Sequence, residues 1–339
     1  MSLSNVNERG DTLQNIYAQC FLVIKYENYT LIQVKNPDNL EILKEYRITK
    51  DGLNEDISSN SKRIIAGSAT HIGMMRALGV LDKLVGIPEW EYVCESFDKS
   101  RIKAVGDIFR ANAESYAAVQ PDLIFYSGYD MNTPIFNKFK QIGLKTFLMY
   151  EWKENHPLGR AEWIKIYGIL FHKEQEANAI FEDIRIKYEN LANKLQQLSI
   201  YPQALSGTYW GDIFNAPTGR SYNAQLLADA NVNYVYKEST GTGSLELSLE
   251  EVINDNKDVE NWINMAATSR KELLAQNSKF ALLRSVKLGN LYSYMGNMNC
   301  FFENSAIEPH IVLEDIAKIF HPEVFEDTEM KYYSKLILE

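Results

Sequence analysis

The chain has 339 residues, 45% of them hydrophobic and 24% charged, and a formal net charge of −10 at pH 7. That length is too great for one comfortable core and fits two compact domains, the balance is that of a folded globular protein, and no apolar run reaches the ~18 residues that would span a bilayer. An acidic chain whose Lys and Arg residues form no cluster also excludes nucleic acid as a partner, because phosphate binding needs a basic surface.

Met1 to Asp11 lacks a basic start followed by an apolar segment, so no secretory signal is legible there. The opening Met1-Ser2-Leu3 has the look of an expression leader, and the expectation is that a native signal is missing from this sequence. Cys20 follows Tyr17-Ala18-Gln19, flanks that do not suit a lipid-anchor cleavage site. With Cys94 and Cys300 it makes an odd set far apart in the chain, so buried free thiols are expected in place of a disulfide framework or a metal knuckle.

Taken in order, residues 1–61 read as an N-terminal extension holding a short β-hairpin, Phe21 to Tyr26 and Tyr29 to Val34 about Glu27-Asn28. Residues 62–156 alternate strands and helices: a strand at Arg63 to Gly67, a helix from Thr70 to Leu78 closed by Gly79, and a strand at Leu84 to Ile87. A helix at Ala113 to Val119, a strand at Leu123 to Ser127, a helix at Ile135 to Ile142 closed by Gly143 and a strand at Lys145 to Tyr150 follow. That rhythm predicts a parallel sheet with helices on its faces. Pro157 suits a first helical position, and apolar residues then recur at helical spacing to His172, which predicts one rigid linker helix over 157–172, roughly 24 Å long at 1.5 Å per residue. An amphipathic helix follows, with Ala177, Phe181, Ile184, Tyr188 and Leu195 on one stripe. Residues 173–339 then repeat the α/β theme, with strands at Gln203 to Trp210, Asn233 to Tyr236, Trp262 to Met265 and Gly289 to Tyr294. The fold class is α/β: two Rossmann-like lobes, each a mostly parallel sheet with flanking helices, joined by one long helix.

No phosphate-cradling glycine loop, nucleophile elbow, C-x-x-C or H-E-x-x-H is present, so no catalytic residue and no resident metal or cofactor is expected. Aromatic and polar residues gather after the predicted strands, where α/β sheets hold ligands, and two such edges are expected to face each other across a cleft. The candidates are His71, Trp90, Tyr129, Glu151, Arg160, Tyr209, Trp210, Arg220, Tyr292, Tyr294 and Met295. For any single ring, core packing is the competing account, and the four other histidines fall near helix ends, where capping or solvent placement explains them. Glu114 and Glu250 occupy matched positions, each eight residues before an Asp that leads into a strand; the positive end of a helix favours acids there, and Ser248 with Glu251 reads as a capping box.

These pieces resemble the periplasmic substrate-binding proteins of ABC importers for ferric siderophores, haem and cobalamin. The resemblance runs over about residues 62–325, carried by Arg63-Ile-Ile-Ala-Gly-Ser-Ala-Thr-His, Leu84-Val-Gly-Ile, Val105-Gly-Asp, Ala113-Glu114, Val119-Gln-Pro-Asp-Leu-Ile, Gly143-Leu-Lys-Thr, His156-Pro-Leu-Gly-Arg-Ala-Glu-Trp, Leu226-Leu-Ala-Asp-Ala and Ser248-Leu-Glu-Glu-Val. It implies a monomeric, non-enzymatic protein of the periplasm or a cell-envelope lipoprotein that holds a bulky metal chelate, a ferric siderophore first. It also implies that Glu114 and Glu250 dock onto arginines of a membrane permease. Cobalamin or haem is the alternative ligand, with His71, Tyr209 or Met295 as candidate axial ligands of haem. A two-lobed enzyme such as a tetrapyrrole chelatase would need a general base paired with a metal or phosphate site, which is not legible here. An adhesion or sensor domain that kept the binding fold is a third possibility.

Overall fold

The computed structural model describes residues 10–94, 99–110, 112–128 and 134–338; the Tyr129 candidate lies outside them. The chain forms two compact units, one of Met1–Trp90, Ser96–Trp152 and Glu162–Phe181, the other of Glu91–Glu95, Lys153–Ala161 and Glu182–Glu339.

The first unit opens with a five-stranded sheet of β1 (Asp11–Leu13), β2 (Phe21–Lys25), β3 (Thr30–Lys35), β4 (Ile42–Thr49) and β5 (Ile57–Ser58), in that order. The predicted hairpin is β2–β3, closed where the Tyr26 N–H donates to the Tyr29 carbonyl at 2.9 Å. The sheet is larger than the hairpin because β4, rich in Lys, Glu and Arg, pairs along β3 while burying only Ile48 fully. A weakly apolar strand of this kind leaves little alternation to read.

Then come β6 (Ile64–Ala66), α1 (Ala69–Ala77), β7 (Leu84–Ile87), β8 (Lys103–Ala104), α2 (Ala113–Ala117), β9 (Leu123–Ser127), α3 (Ile135–Gln141) and β10 (Thr146–Met149), with the strands parallel in the order β10-β9-β6-β7-β8. The apolar runs of β6 and β9 are buried throughout, as central strands covered on both faces must be. Gly79 and Gly143 stand at φ +69° and +76° past α1 and α3, the left-handed positions that end a helix cheaply only with glycine. On β10 the Leu148 N–H donates to the Tyr46 hydroxyl of β4 at 2.9 Å, and Tyr46 stacks on Phe147 at 4.3 Å. The N-terminal sheet thus blunts an edge that would otherwise offer unpaired backbone groups.

The segment 157–172 is two helices, α4 (Pro157–Glu162) and α5 (Ile164–Leu170), separated only by the fully buried Trp163, which keeps helical angles (φ −60°, ψ −16°). The long helix is α6 (Glu174–Leu195), 22 residues with the expected amphipathic stripe. A Cβ on Gly168 would lie 2.7 Å from the Ala177 Cβ, so glycine there lets α5 and α6 approach closely. Glu162, wholly buried, accepts the N–H groups of Ile16 (2.9 Å), Tyr17 (2.8 Å) and Ala18 (2.8 Å) and pairs with Lys165 at 2.5 Å.

The second unit contains β11 (Gln203–Ser206), β12 (Thr208–Trp210), β13 (Ile213–Pro217), α7 (Tyr222–Asp229), β14 (Asn233–Tyr234), β15 (Ser244–Leu247), α8 (Leu249–Asn256), β16 (Asn261–Ile263), α9 (Arg270–Gln276), α10 (Arg284–Leu288), β17 (Leu291–Ser293), α11 (Met298–Asn304), α12 (Pro309–Phe320) and β18 (Ser334–Lys335). Strands β14-β11-β16-β17 run parallel, with β18 antiparallel at one edge. The predicted strand 203–210 is broken. Gly207 stands at φ +144°, where a Cβ would meet the Asn215 carbonyl at 2.5 Å, and β12 leaves to join β13 and β15 in a separate antiparallel sheet. Trp262 lies at the centre of this unit's core, against Phe214 and Phe280.

The expectation of free thiols holds for Cys20, which is buried, and fails for the other two: Cys94 and Cys300 form a disulfide with Cα atoms 4.7 Å apart. Their separation of 206 residues hides the pairing from sequence spacing. The Glu303 carboxylate, fully buried, accepts the Cys94 N–H at 3.0 Å beside it.

Candidate functional site

In the second unit the strand order sets the carboxyl ends of β11, β16 and β17 side by side. Asn264, at φ +64° just past β16, donates to Ser206 Oγ at the end of β11 (2.9 Å) and accepts the Tyr333 hydroxyl (2.5 Å). Past β17, Ser293 Oγ donates to the Met265 carbonyl and accepts the Met295 N–H at 3.0 Å, which turns the chain at Tyr294. The Tyr294 ring then lies flat on Phe301 of α11, centroids 4.2 Å apart and planes 8° from parallel, with Phe302 and Tyr333 edge-on.

Tyr222 begins α7 just after the Ser221 cap, and its ring carries the Arg160 guanidinium 4.1 Å from the centroid. Burial pushes the Tyr294 phenol up to about 12, with Tyr222 the second cause, and burial lifts Tyr333 further still, with Tyr294 next. These phenols stay protonated near neutrality. The strand ends thus bring Arg160 and Tyr294 together through Tyr222, a residue the sequence did not single out. Phe301-Phe302 and Tyr332-Tyr333 were legible as aromatic doublets, but nothing local tied them to the end of β17.

In the first unit, His71 is fully buried in α1, edge-on to Phe125 at 6.0 Å, and neither ring nitrogen has a hydrogen-bond partner. Burial lowers its pKa to about 3, so the ring is neutral. Glu151, just past β10, is 2% exposed and helps raise the pKa of Tyr167, whose ring meets Phe125 at 5.2 Å. Trp90, past β7, is half-buried.

The remaining candidates disperse. Tyr209 is a core residue, its hydroxyl donating to Asp212 at 3.0 Å and its ring edge-on to Phe280. Its neighbour Trp210 points the other way, as alternate strand residues must, and is 81% exposed. Arg220 is exposed, while Tyr292 is half-buried with Lys335 Nζ 5.8 Å from its ring. Glu114 and Glu250 stand exposed in the first turns of α2 and α8, and Ser248 with Glu251 forms the expected capping box. Lys279 bonds Glu250 at 2.6 Å and holds its carboxyl below the usual range. Among the described residues no three His, Cys, Asp or Glu side chains gather as metal ligands, and no helix is long and apolar enough to cross a membrane. A groove of about 650 Å³ between β4, α3 and β10 includes none of the candidates, and its charges pair with one another, Lys140 with Glu55 and Arg47 with Asp56.

Residues 64–297 match the periplasmic binding proteins, and the chain belongs to that family. It is 27% identical over 292 residues to an uncharacterized lipoprotein of Methanocaldococcus jannaschii, covering 82% of this chain and 69% of that one. Among solved structures, a periplasmic heme binding protein from Pseudomonas aeruginosa superposes with a TM-score of 0.66 at 17% identity, over 81% of this chain and 97% of that one. The periplasmic vitamin B12 binding protein of Vibrio cholerae does so with a TM-score of 0.59 at 14% identity, over 78% and 99%. The N-terminal sheet, ending at Ser58, lies before the matched residues.

Proposed function

We propose that this chain is the substrate-binding component of an ABC importer, taking a bulky metal chelate, a ferric siderophore first, and handing it to a membrane permease without chemistry of its own. The observation that carries this reading is the aromatic shelf of Tyr222, Tyr294 and Phe301 at the strand ends of a chain from this family, with a guanidinium beside it. Wide rings with a few convergent polar groups suit a large, partly apolar ligand. Isothermal titration with ferric citrate, a ferric catecholate, haemin and cyanocobalamin tests it. Binding of a ferric chelate is expected, and silence from all four would remove the reading. Tyr294→Ala should weaken that binding by ~1–3 kcal/mol.

Haem is the second reading, favoured by the heme binding protein among the structural neighbours. Of the candidate axial ligands, His71 is wholly buried and Tyr209 is 8% exposed, which leaves Met295 the most accessible. A Soret shift on adding haemin, lost in Met295→Ala, marks that case.

Glu114 and Glu250 are the permease contacts in this reading: both are exposed, and both stand in the first turn of a helix. Replacing both by Ala should leave chelate affinity intact and abolish uptake; uptake by the double variant would withdraw them. An exported, cell-envelope protein is the matching location. The Cys94–Cys300 disulfide supports it, since such bonds persist in oxidising compartments, as does the lipoprotein relative.

A further inference from the structure

Arg160 is 7% exposed, its Nε is buried with no acceptor, and its one contact among the described residues is the face of Tyr222. Arginines at the surface of the same unit do have carboxylates: Arg185 bonds Glu182 and Glu189, each at 2.7 Å, and Arg284 bonds Glu260 at 2.7 Å. The distribution is inverted, because a charge taken out of water needs a counter-charge far more than one left in it. Guanidinium cannot shed its proton to escape the cost. Around it the neighbouring polar groups are phenols, and burial keeps Tyr294 and Tyr333 protonated, so the surroundings offer donors and no anion.

We infer that Arg160 is the seat of an anionic oxygen on the ligand, a carboxylate or an oxyanion of similar geometry, held by the guanidinium fork while the Tyr222 ring backs it. This rests on the importer reading for the identity of the ligand, and names its chemical class: an acidic chelate, carrying carboxylates beyond those that hold its metal. A neutral amide-rimmed ligand would leave the guanidinium uncompensated. The fork gives two parallel N–H bonds to a carboxylate, which an ammonium cannot reproduce.

The test follows the Arg160 Nε–H in a ¹⁵N spectrum of the whole protein, assigned by its disappearance in Arg160→Lys, during titration with citrate, ferric citrate, haemin and cyanocobalamin. Citrate or a carboxylate-bearing chelate should move that signal saturably. Haemin dimethyl ester, which has lost both negative charges, should bind roughly 10- to 100-fold more weakly than haemin, the range a charge-assisted hydrogen bond supplies, and Arg160→Gln should erase the difference. A signal unmoved in the wild-type protein while a ferric chelate binds overturns the anion seat and spares the importer reading. A signal moved by citrate, with no metal chelate bound by calorimetry, keeps the seat and overturns that reading. The wild-type spectrum decides both without relying on a variant that folds.

Discussion

Two buried carboxylates do the same job in different parts of the chain. Glu162 gathers three successive amides, Ile16 to Ala18, and Asp315 of α12 gathers another three, Lys331 (3.0 Å), Tyr332 (2.6 Å) and Tyr333 (3.2 Å). Both side chains are nearly shut off from water, at 0% and 2% exposed. They differ in what balances the charge and in what the held segment carries. Glu162 has the Lys165 ammonium at 2.5 Å, and the segment it fixes leads into the N-terminal sheet, outside the family match. Asp315 bonds no cation, Lys318 acting on it only weakly through space, and the segment it fixes delivers Tyr333 to Asn264 and the Tyr294 ring. One clasp therefore serves attachment and the other serves the candidate site.

Breaking the first clasp should have the largest effect on the fold. Glu162→Ala strands three amides and leaves the Lys165 ammonium without its partner, and removing one member of a buried charge pair costs ~3–5 kcal/mol. Urea unfolding should show that loss, with limited proteolysis opening the chain near residues 10–20 first, while binding at the Tyr294 shelf is preserved in the fraction that folds. A loss below ~1 kcal/mol would mean that the N-terminal sheet is held by its apolar face alone. Asp315→Asn comes next. One acceptor oxygen survives, so ~1.5–3 kcal/mol is expected, the worth of hydrogen bonds to a charged group. Here the sharper readout is binding: chelate affinity should fall in the folded variant, whereas for Glu162→Ala it should not. Equal effects on affinity would dissolve the distinction.

The alternation of strands and helices exposed the parallel sheets because each strand end is marked locally, by Gly79 and Gly143 closing helices or by caps such as Ser248. The clasps were not legible for the opposite reason. Glu162 sits in an apolar helical run where an acid reads as a solvated face, and its partners lie about 145 residues away. Asp315 is likewise one acid in an amphipathic helix until the backbone of residues 331–333 arrives. The candidate site divides along the same line. Tyr294 and Arg160 were visible as residues following a strand and opening a helix, but Tyr222, which joins them, looked like an ordinary first-turn aromatic. Tyr209 and Trp210 were read as a pair, and the two-residue period of a strand separated them, one into the core and one into solvent.

Smaller again should be Tyr333→Phe, which keeps the ring against Tyr294 and removes only the hydrogen bond to Asn264, at ~1 kcal/mol of stability. If the Asp315 clasp matters by placing that hydroxyl, the double variant with Asp315→Asn should lose less than the sum of the singles, since the two changes act on one chain of contacts. Additive losses in urea unfolding would show that the clasp holds backbone and leaves the phenol to itself.

The finest separation between the clasps is their response to pH. Burial is the main influence on Asp315 and lifts its carboxyl above the ordinary 3.8, against the pull of the amides of Tyr332, Lys331 and Tyr333 and of Lys318. A carboxyl raised on folding binds its proton more tightly in the folded state. Its stabilising contribution is therefore complete below the unfolded value and is lost as pH climbs through the folded one. Asn at the same position cannot titrate. The stability advantage of wild type over Asp315→Asn should accordingly be greatest in acid and narrow as pH rises through the range just above 3.8, as read from paired urea titrations. A gap that widened with pH would mean that three amides stabilise the carboxylate more than burial penalises it. Asp315 would then need no cation to hold its charge, and the absence of a counterpart to Lys165 would cease to distinguish the two regions.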